Sequence, residues 1–243
     1  MEATLRKTSA LIGKDAKDLV KNPTMLICCL LPIAFTALYT QVVSDVPGEA
    51  AGAVSLYLQT LSLAMTAGMV GSMTILYAIA EEKEKHTLRT LMLANVSGAQ
   101  TLASRALVAF AAILVVDVAC FLVMRAPLDA LAPYLAFGLL GSVPIVMLSL
   151  LLGLAARDQM TAGVYSLPII LVALVPSFAM LNDTIADVAP WLPTGGMQEL
   201  LQLAAAGNLL TADAVQPLMV TLAWIVVTAT VFALLYRRLS RDN

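Results

Sequence analysis

Residues 102–124 read LASRALVAFAAILVVDVACFLVM, an apolar run with only two charged side chains, Arg105 and Asp117. A helix crosses the hydrocarbon core of a bilayer in about 20 residues. Lipid offers no hydrogen bonds, so a segment in the bilayer must pair its own backbone N–H and C=O groups, and a helix does this. This run therefore predicts a membrane-spanning helix.

Five further runs of this kind predict an all-α membrane protein with six transmembrane helices. The predicted spans are residues 24–43, 54–80, 102–124, 131–155, 160–181 and 217–236. The polar attachments are short: residues 1–22, 81–101 and 182–216. Residues 1–243 are therefore interpreted as one transmembrane domain.

The composition supports this fold class. Hydrophobic residues make up 60% of the 243 positions and charged residues 12%, with a mean hydropathy of +0.89. Soluble domains contain about 45–50% apolar and about 25% charged residues. The net charge of −2 gives no indication of a nucleic-acid partner.

The basic residues orient the spans. Six spans place 13 of the 14 lysines and arginines on one side of the membrane and Arg125 alone on the other. Basic residues in short loops mark the cytoplasmic side. Both termini and residues 81–101 are therefore predicted to be cytoplasmic, and residues 182–216 extracytoplasmic.

The N-terminal segment has helical periodicity. At 100° per residue, apolar side chains from Leu5 to Val20 share one arc. Five cations share another: Arg6, Lys7, Lys14, Lys17 and Lys21. This pattern predicts an amphipathic helix that lies on the membrane surface and attracts anionic lipid. Asn22-Pro23 should end it.

Two intramembrane features leave alternatives open. Placing the charge of Asp117 in the bilayer costs about 2.5–3.5 kcal/mol, so we expect it to face protein or water. It is either a structural polar contact or part of the substrate path. Ala64, Gly68 and Ser72 form a ridge of small residues that allows close helix packing, within this chain or between subunits. Beyond the membrane, residues 197–206 predict a short helix that ends at Gly207.

The sequence lacks the residues for intramembrane catalysis. The single histidine, His86, falls in a polar loop, and Asp117 is the only acid deep in a span. No G-x-x-x-x-G-K-[ST] loop is present to hold a nucleotide. We predict no catalytic residue, no metal site and no cofactor bound by this chain.

Residues 80–105, AEEKEKHTLRTLMLANVSGAQTLASR, form the most informative polar segment. Glu82 and Glu84 continue span two and are expected to be exposed charges below the membrane. Leu88, Leu91 and Met92 share one face of a short helix, which such a small segment cannot bury alone. Ser97 and Gln100 form a capping-box pattern before span three.

This segment resembles the type-2 ABC transporter permeases, many of which are bacterial exporters. Their pattern E-x-E-x-(G)-T-L-x-x-L-x-x-x-x-(V)-S is matched in order by Glu82, Glu84, Thr87, Leu88, Leu91, Val96 and Ser97. His86 stands where the family often has glycine. The N-terminal helix followed by Asn22-Pro23 is similar to the family's elbow helix.

The resemblance implies a mechanism. Two permeases, identical or different, would pair in the bacterial plasma membrane above two cytoplasmic ATPase subunits that bind ATP and Mg. A coupling helix at residues 87–93 would dock in an ATPase groove, with Glu82, Glu84, Thr87, Leu88, Leu91 and Met92 as the coupling residues. The alternatives are a secondary transporter or channel without an ATPase and a membrane scaffold.

Overall fold

The computed structural model describes residues 2–43, 50–85 and 97–239, and in these ranges the chain is helical and contains no strand. Six helices are long and apolar enough to cross a membrane, which confirms the predicted fold class. They are Pro23–Val42, Ala50–Glu84, Gly98–Met124, Leu128–Ala155, Gln159–Ala179 and Ala212–Tyr236.

The α-helices are α1 (Glu2–Lys21), α2 (Pro23–Val42), α3 (Ala50–Met65), α4 (Gly71–Glu84), α5 (Gly98–Met124), α6 (Leu131–Ala155), α7 (Gln159–Leu174), α8 (Asp183–Val188), α9 (Gly195–Ala205) and α10 (Val215–Leu239). Short 3₁₀ turns precede α6 at Leu128–Ala130, follow α7 at Val175–Leu181, precede α9 at Ala189–Trp191 and precede α10 at Ala212–Ala214.

Local sequence explains where two of the spans begin. The Asn22 side chain accepts hydrogen bonds from the backbone N–H groups of Thr24 and Met25, at 3.0 and 3.3 Å, and Pro23 is the first residue of α2. Proline is favoured there because its missing N–H would have no partner inside the helix. Ser97 and Gln100 form the predicted capping box at the start of α5.

Span two is the most deeply buried of the six. A π-helical turn, Thr66–Val70, joins α3 to α4, so the helix runs without a break from Ala50 to Glu84. A methyl group added at Gly68 would lie 3.0 Å from the Ala173 Cβ atom. The ridge of small residues on span two therefore packs against α7 within this chain, which resolves the alternative that the sequence left open. The π turn itself was not predicted.

The two ends of the bundle differ in charge. The "basic end" is where α4 ends and α5 begins, with Lys83, Lys85 and Arg105, and where Arg157 separates α6 from α7. Arg125, with a φ of 52°, ends α5 at the "opposite end".

Helix α1 packs across the basic end against α2, α4 and α5. Leu11 and Asp15 turn toward these helices and are buried, whereas Val20, from the predicted apolar arc, is 63% exposed. The described helices therefore leave Val20 uncovered.

Candidate functional site

A network of charged and polar side chains joins three helices at the basic end. The Lys14 Nζ atom of α1 lies 2.6 Å from Glu82 Oε1 of α4, and Arg105 Nη2 of α5 lies 2.6 Å from Glu82 Oε2. Ser104 donates to Asp15 Oδ2 at 2.6 Å. We call Lys14, Asp15, Glu82, Ser104 and Arg105 the basic-end network.

The network is largely buried. Glu82 is 6% exposed and Arg105 is 4% exposed. Removing one partner of a buried ion pair leaves an uncompensated charge, which is strongly destabilising. Partial burial of Lys14 favours its neutral form, but its hydrogen bond and ion pair with Glu82 prevail, so the pKa of Lys14 is raised above its usual value.

Two neighbours of Glu82 connect the end of α4 to the rest of the basic end. Lys83 donates to the backbone carbonyls of Leu154 and of Ala156, the latter at 3.0 Å, at the C-terminal end of α6. Glu84 accepts a bond of 3.4 Å from the backbone N–H of Gln159, the first residue of α7. The last turn of span two is thus connected to α1, α5, α6 and α7.

The predicted coupling residues separate into two groups. Glu84 is exposed as expected, but the expectation that Glu82 is also an exposed charge was wrong. Glu82 is buried because α1 and α5 supply Lys14 and Arg105, contacts between residues far apart in the sequence. Thr87, Leu88, Leu91 and Met92 lie outside the described residues.

The predicted surface lysines of α1 also separate. Lys17 and Lys21 are exposed. Lys14 turns toward the bundle and forms ion pairs with Asp15, Asp18 and Glu82. The side chains of Arg6 and Lys7 lie outside the described part.

Asp117 lies in the protein interior and is 1% exposed. The Thr66 hydroxyl of the π turn lies beside it but donates its hydrogen to the Ser62 carbonyl at 2.9 Å. Neither carboxyl oxygen has a hydrogen-bond partner among the described residues. A methyl group added at Gly138 of α6 would lie 3.2 Å from Asp117 Oδ2. The carboxyl is therefore closely packed between spans two, three and four.

The predicted short helix before span six is confirmed as α9, which lies against α6 and α10 at the opposite end. Gly207, with a φ of 72°, follows α9. Glycine is favoured after a helix end because it adopts a positive φ without a steric penalty. Thr194 donates to the Ala173 carbonyl at 2.8 Å, and Gln198 donates to Ser177 at 2.9 Å. The sequence predicted the helix but not these bonds, because both acceptors lie near the end of span five.

A chain of six apolar spans, with a further helix packed into one end and a charged network at the other, belongs to the multi-pass membrane proteins. Comparison with known families matches residues 23–235 to the ABC-2 family transporter proteins. The chain belongs to this family and is a membrane transport subunit of an ABC-type system. No curated protein matches it.

Proposed function

We propose that this chain is the permease subunit of an ATP-driven exporter, in which two permeases, identical or different, form the substrate path above two separate ATPase subunits. The observation that carries the proposal is the attachment of the last turn of span two to four other helices through Glu82, Lys83 and Glu84. Residues 86–96 follow this turn directly. A partner that moves this segment would therefore move several spans together.

The proposal places the basic end in the cytoplasm. Thirteen of the 14 lysines and arginines belong to that side, and Arg125 alone to the other. The positive-inside rule supports this orientation for loops as short as these. The surrounding membrane is then the bacterial plasma membrane, and both termini are cytoplasmic.

The ATP and Mg that drive transport belong to the ATPase subunits in this proposal. The sequence has no phosphate-binding loop, so this chain contributes the path and the mechanical connection. Leu88, Leu91 and Met92 would contact the ATPase, together with Thr87 and the exposed Glu84. Glu82 would act indirectly, by fixing the end of span two.

The opposite end supports a role in closing the path. Helix α9 is held by bonds from Thr194 and Gln198 to span five, and Trp224 of span six donates to the Trp191 carbonyl at 2.8 Å. These contacts link spans five and six at the extracytoplasmic side. Asp117 of span three is assigned a place inside the protein, between spans two and four, and not toward lipid.

The experiment is co-expression of the tagged chain with each ABC ATPase from the same genome, followed by purification and reconstitution into lipid vesicles. We expect a stable complex whose ATP hydrolysis depends on both chains. An ATPase with a disabled Walker lysine is the control for hydrolysis. A chain that purifies without the ATPase, and leaves its activity unchanged, would support the secondary-transporter or channel alternative.

A further inference from the structure

A cleft of about 140 Å³ lies at the basic end between α1, α2, α4 and α5. One part of its lining is apolar, formed by Leu19, Met25, Ala78, Val108 and Ala109. The other part is charged and includes four members of the basic-end network, Lys14, Asp15, Glu82 and Arg105. The cleft therefore offers an apolar and an ionic surface side by side, at the level where the apolar spans give way to charged residues.

The floor of the cleft contains a cationic group with unused hydrogen-bond donors. Arg105 is 4% exposed, and its Nη2 atom contacts Glu82. Its Nη1 atom is buried and has no hydrogen-bond partner among the described residues. A buried guanidinium nitrogen without an acceptor is unfavourable, and the planar guanidinium fork suits phosphate oxygens. Arg105 also lines the cleft, so a small rotation of its side chain would bring Nη1 to an acceptor on a ligand there.

The rest of the charged lining argues against a purely anionic ligand. Four carboxylates line the cleft: Asp15, Asp18, Glu81 and Glu82. Three cations accompany them: Lys14, Lys85 and Arg105. The lining thus has one more negative than positive charge. The Asp18 side chain pairs with Lys14 at 3.3 Å, but it is 49% exposed and so remains open to a cation on the ligand.

Three apolar residues that neighbour cleft residues in the sequence are exposed on the same three helices. Val20 follows Leu19, Leu26 follows Met25, and Leu107 precedes Val108; all three are exposed, at 63%, 38% and 53%. Such surface is suited to acyl chains, whereas a free water-soluble phosphate would not use it.

We propose that this cleft binds the headgroup of an aminophospholipid of the phosphatidylethanolamine type. The Arg105 side chain turns toward the cleft on binding, so that Nη1 donates to the phosphate, and the ammonium group lies toward Asp18 at the rim. The acyl chains pass over the exposed apolar side chains of α1, α2 and α5. This lipid site goes beyond the proposed transport function, and it shares Lys14, Glu82 and Arg105 with the network that holds the end of span two.

The test is binding of short-chain lipids to the purified full chain in detergent, followed by thermal unfolding and native mass spectrometry. Dioctanoyl phosphatidylethanolamine is compared with dioctanoyl phosphatidylglycerol, phosphorylethanolamine and inorganic phosphate. We expect phosphatidylethanolamine to bind at least about tenfold more tightly than each of the other three compounds. Equal binding of the two lipids would overturn the assignment of a zwitterionic ligand. Equal binding of phosphorylethanolamine or inorganic phosphate would show a soluble phosphate site instead.

Two variants connect the binding to the cleft. Ala78→Leu fills part of the cleft without altering a charge, and Ala223→Leu makes the same change at an exposed position of α10. Asp18→Asn removes the rim carboxylate, and Asp187→Asn is its control in α8. We expect about tenfold weaker binding in Ala78→Leu and a reduced preference for phosphatidylethanolamine over phosphatidylglycerol in Asp18→Asn. Absence of lipid binding to the wild type, or the same affinity in Ala78→Leu and Ala223→Leu, would refute the site.

Discussion

Lys14 and Glu82 are 68 positions apart in the sequence, yet the Lys14 Nζ atom lies 2.6 Å from Glu82 Oε1. The contact joins the N-terminal helix to the last turn of span two, where Arg105 of span three approaches the other carboxylate oxygen. One carboxylate thus holds cations from two helices. Displacement of α1 would separate Lys14 from this carboxylate, so the position of α1 and the position of the last turn of span two are physically linked.

Glu82 and Glu84 provide a matched pair for testing this network. Glu82→Gln leaves buried Arg105 without its carboxylate, so we expect it to lower the free energy of unfolding by about 3–5 kcal/mol. Glu84→Gln, at an exposed position, should cost about 0–1 kcal/mol. Thermal unfolding of both purified variants checks the difference. Equal destabilisation would contradict the role of Glu82 in the network.

The contribution of Lys14 should depend on pH in a defined direction. Burial works against its charge, but Glu82 raises the pKa of Lys14 above its usual value. A raised pKa in the folded state means that the stabilisation is fully present below the unfolded pKa of about 10.4 and is lost as the pH rises through the folded value.

Lys14→Met should therefore cost a constant amount across neutral pH. Because the side chain of Lys14 is 40% exposed, solvent screening limits that cost to about 0.2–1 kcal/mol. The difference from the wild type should disappear in strongly alkaline solution, as followed by unfolding at a series of pH values. Lys17→Met, at an exposed position, is the control, and a cost for Lys14→Met that grows with pH would have the wrong sign.

The sequence predicted the six spans because each is a long apolar run, and lipid permits only structures that satisfy the backbone internally. It also predicted the capping box of Ser97 and Gln100 and the helix that Gly207 ends, because these are local patterns. It did not predict the burial of Glu82, which depends on Lys14 and Arg105. The position of Arg105 inside the apolar run 102–124 was the one available signal that a buried anion was nearby.

The close packing around Asp117 makes Gly138 sensitive to substitution. The added methyl group of Gly138→Ala would lie 2.6 Å from Leu63 Cδ2 and 3.2 Å from Asp117 Oδ2. Overpacking of this kind costs about 1–3 kcal/mol. Gly52→Ala meets no atom within 4 Å and should be neutral or stabilising by about 0.4–1 kcal/mol. Thermal unfolding distinguishes the two, and a stable Gly138→Ala variant would show that spans two and four separate easily.

The proposed orientation can be tested by labelling cysteines in intact cells. The three native cysteines are buried, so they give little background. Thr90→Cys, in the proposed cytoplasmic segment, should resist a membrane-impermeant thiol reagent until the cells are opened. Asp187→Cys, at an exposed position of α8, should react at once. The reverse pattern would place the basic end outside and exclude its contact with a cytoplasmic ATPase.

The coupling segment itself is tested by introducing charge on its apolar face. Leu88 and Leu91 share one side of the predicted short helix, and burying a leucine contributes about 1.5–3 kcal/mol. Losing two leucines from an interface should therefore weaken ATPase binding by several powers of ten. We expect the double variant Leu88→Asp, Leu91→Asp to insert and fold like the wild type.

The same double variant should lose both ATPase co-purification and ATP-dependent transport. The matched control is Leu128→Asp with Leu210→Asp, which makes the same changes at leucines of the opposite end that are 77% and 103% exposed. These two leucines are already exposed and lie at the end of the bundle away from residues 87–93. The control variant should therefore still bind the ATPase. If the Leu88, Leu91 variant binds the ATPase as tightly as this control does, residues 87–93 are not the docking helix.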